Sequence, residues 1–265
     1  MRNSLLLLLS VLLAACAGSR RVVVETPGTI NVLSYNIHHA NPPSEKDKID
    51  IPAIAKVISN TAPDIVALQE VDVHTDRSGK DLHQAEALAK QAGMHSFFAK
   101  GIDYGGGEYG VAILSRFPIV ETKRYPLTTL PGTNGEPRVL ATALLQLPGN
   151  KRMLMACTHL DAQRSDSNRQ VQIREVTAIL QEQPYPVVLA GDLNAANGTP
   201  VINELDKHFT RSCNDCAPTI PVINPRRCID FIAFTPGKFD VVKHEVIQET
   251  YASDHLPVNA VLRLR

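Results

Sequence analysis

Ile65-Val66-Ala67-Leu68-Gln69-Glu70 sets four consecutive apolar residues, entered from Pro63-Asp64, directly against an amide and a carboxylate. A short apolar run bounded by turn formers reads as a buried strand, so the polar pair falls at its C-terminal end. The same pattern recurs along the chain. Thr29-Ile30-Asn31-Val32-Leu33-Ser34-Tyr35, bounded by Pro27-Gly28, ends on Asn36. Met153-Leu154-Met155-Ala156-Cys157 runs into Thr158-His159-Leu160-Asp161, and Val187-Val188-Leu189-Ala190 into Gly191-Asp192-Leu193-Asn194. Further strands are expected over 111–115, 139–147, 229–234, where Asp230 opens the strand, and 258–264. Helices are expected over 51–60, where Ile51, Ile54, Ala55 and Ile58 are helically spaced, over 82–92, stopped by Gly93, and over 168–182. Short buried strands alternating with helices describe an α/β protein.

In such architectures, loops at strand ends present groups that the rigid sheet positions. Asn36, Gln69-Glu70, Thr158 to Asp161, Gly191 to Asn194 and Ser253-Asp254-His255 are read as five such ends. Each alone has a plainer role as a turn former, surface charge or helix cap. Together, acid and amide groups with two histidines suit a hard divalent cation such as Mg²⁺, Mn²⁺ or Ca²⁺. The histidines add proton transfer or charge stabilisation at phosphoryl oxygen.

The 265 residues are 44% hydrophobic and 20% charged, and no repeat or linker divides them, which favours one domain over 29–265. Lys and Arg number 27 against 27 Asp and Glu, and Trp is absent. Neither the basic field of a nonspecific DNA binder nor an aromatic stacking platform is evident. Residues 1–15 carry Arg2 and the apolar run Leu5 to Ala15, too short for the ~20 residues of a bilayer span. They read as a signal peptide. Leu13-Ala14-Ala15-Cys16 resembles a bacterial lipobox, so Cys16 is the expected lipidation site and residues 16–28 a lipidated tether. That places the protein in the cell envelope as a membrane-anchored lipoprotein, and a monomer is expected. Losing residues 1–15 removes Arg2 alone among charged groups and leaves a net charge of −1. Cys157 reads as a buried small hydrophobe. Among Cys213, Cys216 and Cys228, a disulfide from either of the first two to Cys228 is expected in an oxidising compartment.

Ser34-Tyr35-Asn36-Ile37, Ala67-Leu68-Gln69-Glu70-Val71, Thr158-His159-Leu160, Gly191-Asp192-Leu193-Asn194 and Ser253-Asp254-His255-Leu256-Pro257-Val258 resemble, in order, the motifs of the endonuclease/exonuclease/phosphatase family. The resemblance spans residues 30–262 and implies a DNase I-like four-layer α/β/β/α sandwich with two mixed sheets packed face to face. It further implies that Asn36 and Glu70 hold the metal, with Asp254 a nearby or second-metal ligand. Asp192 would orient or deprotonate the attacking water, and Asn194 and His159 would donate to the phosphate. Asp230 would fix the tautomer of His255 and favour its imidazolium.

Members of that family act on DNA, RNA, inositol phosphates and sphingomyelin, so the fold alone does not choose a substrate. Thr158-His159-Leu160 stands where abasic-site endonucleases carry an Asn-Gly-Tyr type of motif, which argues against DNA repair. Arg138 and Arg169 are candidates to bind phosphate, and Gly105-Gly106-Gly107 is either a weak phosphate-loop signal or a tight turn. The expected activity is divalent-metal-dependent hydrolysis of small or lipid-headgroup phosphate esters outside the cytoplasm. An extracellular nuclease is the alternative, and a catalytically inactive binding or scaffold lipoprotein the remote one.

Overall fold

The computed structural model describes residues 28–265, so the signal segment, Cys16 and all of the tether except Gly28 lie outside the described residues. In chain order the elements are β1 (Thr29–Asn36), α1 (Ile51–Thr61), β2 (Ile65–Val73), α2 (Gln84–Ala92), β3 (His95–Tyr104), β4 (Gly107–Ser115), β5 (Ile119–Leu127) and β6 (Arg138–Leu147). There follow β7 (Lys151–His159), α3 (Ser167–Gln181), β8 (Val187–Asp192), α4 (Pro200–Asp206), β9 (Thr210–Arg211), β10 (Asp230–Phe234), β11 (Phe239–Val246) and β12 (Val258–Leu264). The strands form two six-stranded sheets, ordered β11-β12-β1-β2-β4-β3 and β5-β6-β7-β8-β10-β9.

Strand alternation explains why the sheets stack. In β1, Ile30 and Val32 enter the core between the sheets, while Leu33 and Tyr35 face α1 and α2. In β7, Met153, Met155 and Cys157 enter the same central core, while Leu154 and Ala156 face the side of α3 and α4. Both faces of the inner strands are therefore buried, which is why their sequences read as unbroken apolar runs. The layers are helix, sheet, sheet, helix, the DNase I-like sandwich implied by the motifs.

Local chemistry sets the helix ends. Asp50 caps α1 by accepting the Ala53 N–H at 3.0 Å, and Ile51, Ile54, Val57 and Ile58 supply its buried stripe. Gly93 ends α2 in the left-handed region at φ 64°. All three expected helices form within a residue or two of their predicted bounds, and α4 is an addition. Gly105 and Gly106, at φ 51° and 68°, turn the β3–β4 hairpin, so this stretch is a tight turn and not a phosphate loop.

One cysteine expectation is overturned. Cys213 pairs with Cys216 and leaves Cys228 as a thiol. Cys228 lies two residues before β10 and packs against the apolar layer beneath α3 and α4, while Cys213-Asn214-Asp215-Cys216 closes on itself in one turn. Cys157 is fully buried, as read.

Candidate active site

Register brings the polar strand ends together. β1 and β2 are parallel and place Asn36 beside Gln69. In the other sheet, β7 and β8 are parallel with His159 beside Asp192, and antiparallel β10 starts with Asp230 opposite Asp192. Ser253-Asp254-His255 does not follow a strand as expected; it precedes β12. Because β12 runs antiparallel to β1, its start lies where β1 ends, and Ser253 Oγ donates to the Asn36 carbonyl at 2.7 Å.

Glu70 reaches the site through an irregularity. The β2–β4 register shifts between Leu68 and Val71, and Glu70 occupies the left-handed region at φ 57°. A bulge of this kind re-aims a side chain. A non-glycine residue held there costs of order 1–3 kcal/mol, which persists only where surroundings impose it. Asn36 Nδ2 donates to Glu70 Oε1 at 3.0 Å and to Asp192 Oδ2 at 3.1 Å, joining one sheet to the other across the site. Asn36 Oδ1 accepts the His38 N–H at 3.1 Å and keeps a second lone pair.

Asp192 is at the centre. Its Oδ2 lies 3.5 Å from His159 Nε2 and 3.7 Å from His255 Nε2, and its Oδ1 accepts the Asn194 N–H at 2.8 Å. Burial, then the neighbouring Asp230 charge, raise its pKa above the usual carboxylate range, against the pull of His255. His255 Nδ1 donates to Asp230 Oδ2 at 2.9 Å, and Thr219 Oγ1 donates to the same oxygen. Burial disfavours the imidazolium, but the Asp230 charge and hydrogen bond override it and hold the His255 pKa up at about 10. His255 is therefore a cation at neutral pH, with Nε2–H directed toward Asp192.

His159 is the opposite case. Burial, then the positive charges of Arg138 and His255, hold its pKa well below the ordinary histidine value. Asn194 Nδ2 lies 3.0 Å from its Nε2 and Arg138 Nη1 lies 3.3 Å from its Nδ1, so donors face both ring nitrogens, with Asp192 Oδ2 3.5 Å from Nε2. In this arrangement Asn194 donates to His159 and to the Leu160 carbonyl, and the two phosphate donors implied by the motifs are engaged with each other.

The donor set fits a divalent cation. Glu70 and Asp192 converge on one amide, and among the described residues neither is paired with a Lys or Arg. Excess negative charge on oxygen ligands is what a hard cation requires. Ligand atoms come within 4.8 Å of one another in two groups, Asp192 with Asp230 and His255, and Glu70 with His38 and His39. Asp254, expected as a ligand, belongs to neither group; its neighbour Ser253 donates weakly to it at 3.4 Å.

The two arginines part ways. Arg138 is buried beside His159, paired with Glu136 at 2.9 Å, and lines a small cavity with Tyr109, Pro137 and Gly101. Arg169 is not brought to this cluster. Its Nη1 donates to the Asp161 and Gln163 carbonyls at 2.8 and 2.6 Å, pinning the segment after β7, because α3 packs its first turn there. Tyr109, His38 and His39 were not singled out in the sequence. For the histidines the available signal was their place two and three residues beyond the strand-end Asn36. Burial, then Arg77 and His38, lower the His39 pKa to about 4.

Comparison with known proteins agrees with this architecture. The protein YbhP of Escherichia coli (strain K12) is 28% identical over 251 residues, covering 89% of this chain and 97% of that protein. The crystal structure of an endonuclease/exonuclease/phosphatase from Beutenbergia cavernae superposes with a TM-score of 0.76 at 29% identity, covering 89% of this chain and 72% of that one. The mannosyl-6-phosphatase Bt3783 of Bacteroides thetaiotaomicron shares the fold, with a TM-score of 0.73 at 21% identity over 88% of this chain and 99% of its own. The model of the Endonuclease/Exonuclease/phosphatase family matches residues 33–255, a span that runs from β1 through the first four motifs to His255 in the fifth, and the chain belongs to that family.

Proposed function

We propose that the protein is a divalent-metal-dependent hydrolase of small phosphate esters, acting by water attack at phosphorus outside the cytoplasm. One observation carries this reading: Asn36, Glu70, His159, Asp192, Asn194, Asp230 and His255, contributed by both sheets, form one connected set of polar contacts at a single edge of the sandwich. Seven such groups on six segments converge at that edge.

Glu70 and Asn36 Oδ1 would hold the metal, which is Mg²⁺ in this reading, with Mn²⁺ or Ca²⁺ as alternatives. When bound, the cation supplies Lewis-acid neutralisation of phosphoryl charge. Asp192 orients water and accepts its proton, a role helped by its raised basicity. His255, held cationic by Asp230, offers Nε2–H to the charge that grows on phosphoryl oxygen. His159, neutral and wedged between Asn194 and Arg138, sets one wall. Arg138 reaches the same wall and is the arginine retained as a substrate contact, whereas Arg169 positions the loop.

Balanced charge favours a small ester over a long polyanion as substrate. The membrane is the expected partner only through Cys16. Hydrolysis of bis-p-nitrophenyl phosphate by the full chain should stop with EDTA and return with Mg²⁺, and Glu70→Gln should remove it. Turnover that survives both treatments would sink the assignment. Plasmid DNA, RNA, sphingomyelin and sugar or inositol phosphates, compared side by side, separate the small-ester reading from a nuclease.

A further inference from the structure

The chain after Asn36 makes an unusual turn. His38, His39 and Ala40 have φ 47°, 42° and 59°, three successive non-glycine residues in the left-handed region. The turn is imposed from outside: the buried Gln84 side chain donates to the His39 carbonyl at 2.7 Å while accepting the Asp72 N–H at 2.9 Å, and Asp50 donates its N–H to the Ala40 carbonyl at 2.7 Å. Its result is to place two imidazoles, 4.5 Å apart between ring centroids, beside the equally left-handed Glu70.

We propose that His38, His39 and Glu70 form a second divalent-metal position, sharing Glu70 with the first, that takes a borderline ion of the Zn²⁺ kind in preference to Mg²⁺ or Ca²⁺. Three observations and the chemistry of imidazole point there. Ligand atoms of all three side chains lie within 4.8 Å of one another. His38 Nδ1 lies 2.8 Å from the Asn41 carbonyl, which fixes its proton on Nδ1 and leaves the Nε2 lone pair free, the arrangement that orients metal-binding histidines. His39 Nδ1 is buried with no hydrogen-bond partner, a nitrogen whose desolvation nothing in the protein offsets. Finally, imidazole nitrogen suits Zn²⁺, whereas Mg²⁺, Ca²⁺ and Mn²⁺ favour oxygen.

The inference rests on Glu70 being a metal ligand, as in the proposed function. The test titrates the metal-free full chain, in detergent, with Zn²⁺ and separately with Mg²⁺ by calorimetry, for wild type and for His38→Asn/His39→Asn. Asparagine is chosen because it tolerates positive φ better than other side chains and so preserves the turn. Wild type should bind one Zn²⁺ more than it binds Mg²⁺. The double variant should lose that equivalent, weakened by at least about 100-fold, with its Mg²⁺ isotherm unchanged. Equal Zn²⁺ binding by the two proteins overturns the proposal. If that equality accompanies normal Mg²⁺-dependent hydrolysis, the histidine position alone fails. If the variant loses Zn²⁺ while neither protein binds Mg²⁺ or hydrolyses a diester, the histidine position stands and the hard-cation hydrolase reading fails. Should the double variant not fold, His39→Asn alone, which keeps the His38–Asn41 contact, supplies the same readout.

Discussion

His255 sits between two carboxylates, hydrogen-bonded to Asp230 at 2.9 Å and facing Asp192 at 3.7 Å. Its pKa of about 10 lies above that of a free imidazole, near 6.5, so its charged form stabilises the fold fully below about pH 6.5 and loses that contribution as pH rises through 10. Hydrolysis should therefore fall on the alkaline side as His255 loses its proton. Asp230→Asn removes the main cause of the raised value, and the alkaline limb of kcat should move toward neutral pH by more than one unit. A limb that stays in place would rule out His255 as the group behind it. Asp192→Asn should lower kcat by about 10²–10⁴-fold, because the amide keeps the volume and loses the base. These residues were legible in the sequence because each follows or opens an apolar run. His38, His39 and Tyr109 were not: the histidines depend on a left-handed turn and Tyr109 on a hairpin register, neither of which leaves a mark in composition.

At the level of elements, the eight strands expected from apolar runs are β1, β2, β4, β6, β7, β8, β10 and β12, all interior to their sheets. The four not foreseen, β3, β5, β9 and β11, are the four edges. Val120-Glu121-Thr122-Lys123-Arg124 in β5 is exposed throughout, and half-buried or exposed positions dominate β3 and β11. Charge on an edge blunts pairing with other chains, and the same charge hides the strand from a reading based on hydrophobicity. Gly191 shows how closely the interior strands must approach. A Cβ there would lie 2.1 Å from the Thr158 carbonyl oxygen, so β8 could not keep its place beside β7. Gly191→Ala should cost about 1–3 kcal/mol, read as a lowered Tm. It should also cut turnover more than stability explains, since Asp192 is the next residue. Wild-type kinetics in a folded Gly191→Ala protein would show that Asp192 tolerates displacement.

For the whole molecule, the site exists only where the two sheets meet. Glu70 and Asn36 come from one sheet, and His159, Asp192 and Asp230 from the other, joined by the Asn36–Asp192 hydrogen bond. No described helix is long and apolar enough to cross a membrane. Cys16→Ser is expected to move the protein from the membrane to the soluble fraction while leaving turnover on bis-p-nitrophenyl phosphate intact. Retention in the membrane fraction would reject Cys16 as the anchor. Strand β1 makes the direction of that attachment matter. It begins at Thr29, paired with Arg263 near the end of β12, and reaches the catalytic edge only at Asn36, about 23 Å away at about 3.3 Å per residue. The described chain thus enters the domain at the pole opposite the site. Anchored through Cys16, it would stand with its back to the bilayer and its catalytic opening toward the surrounding fluid, sampling solutes that drift past more readily than headgroups of the leaflet beneath it.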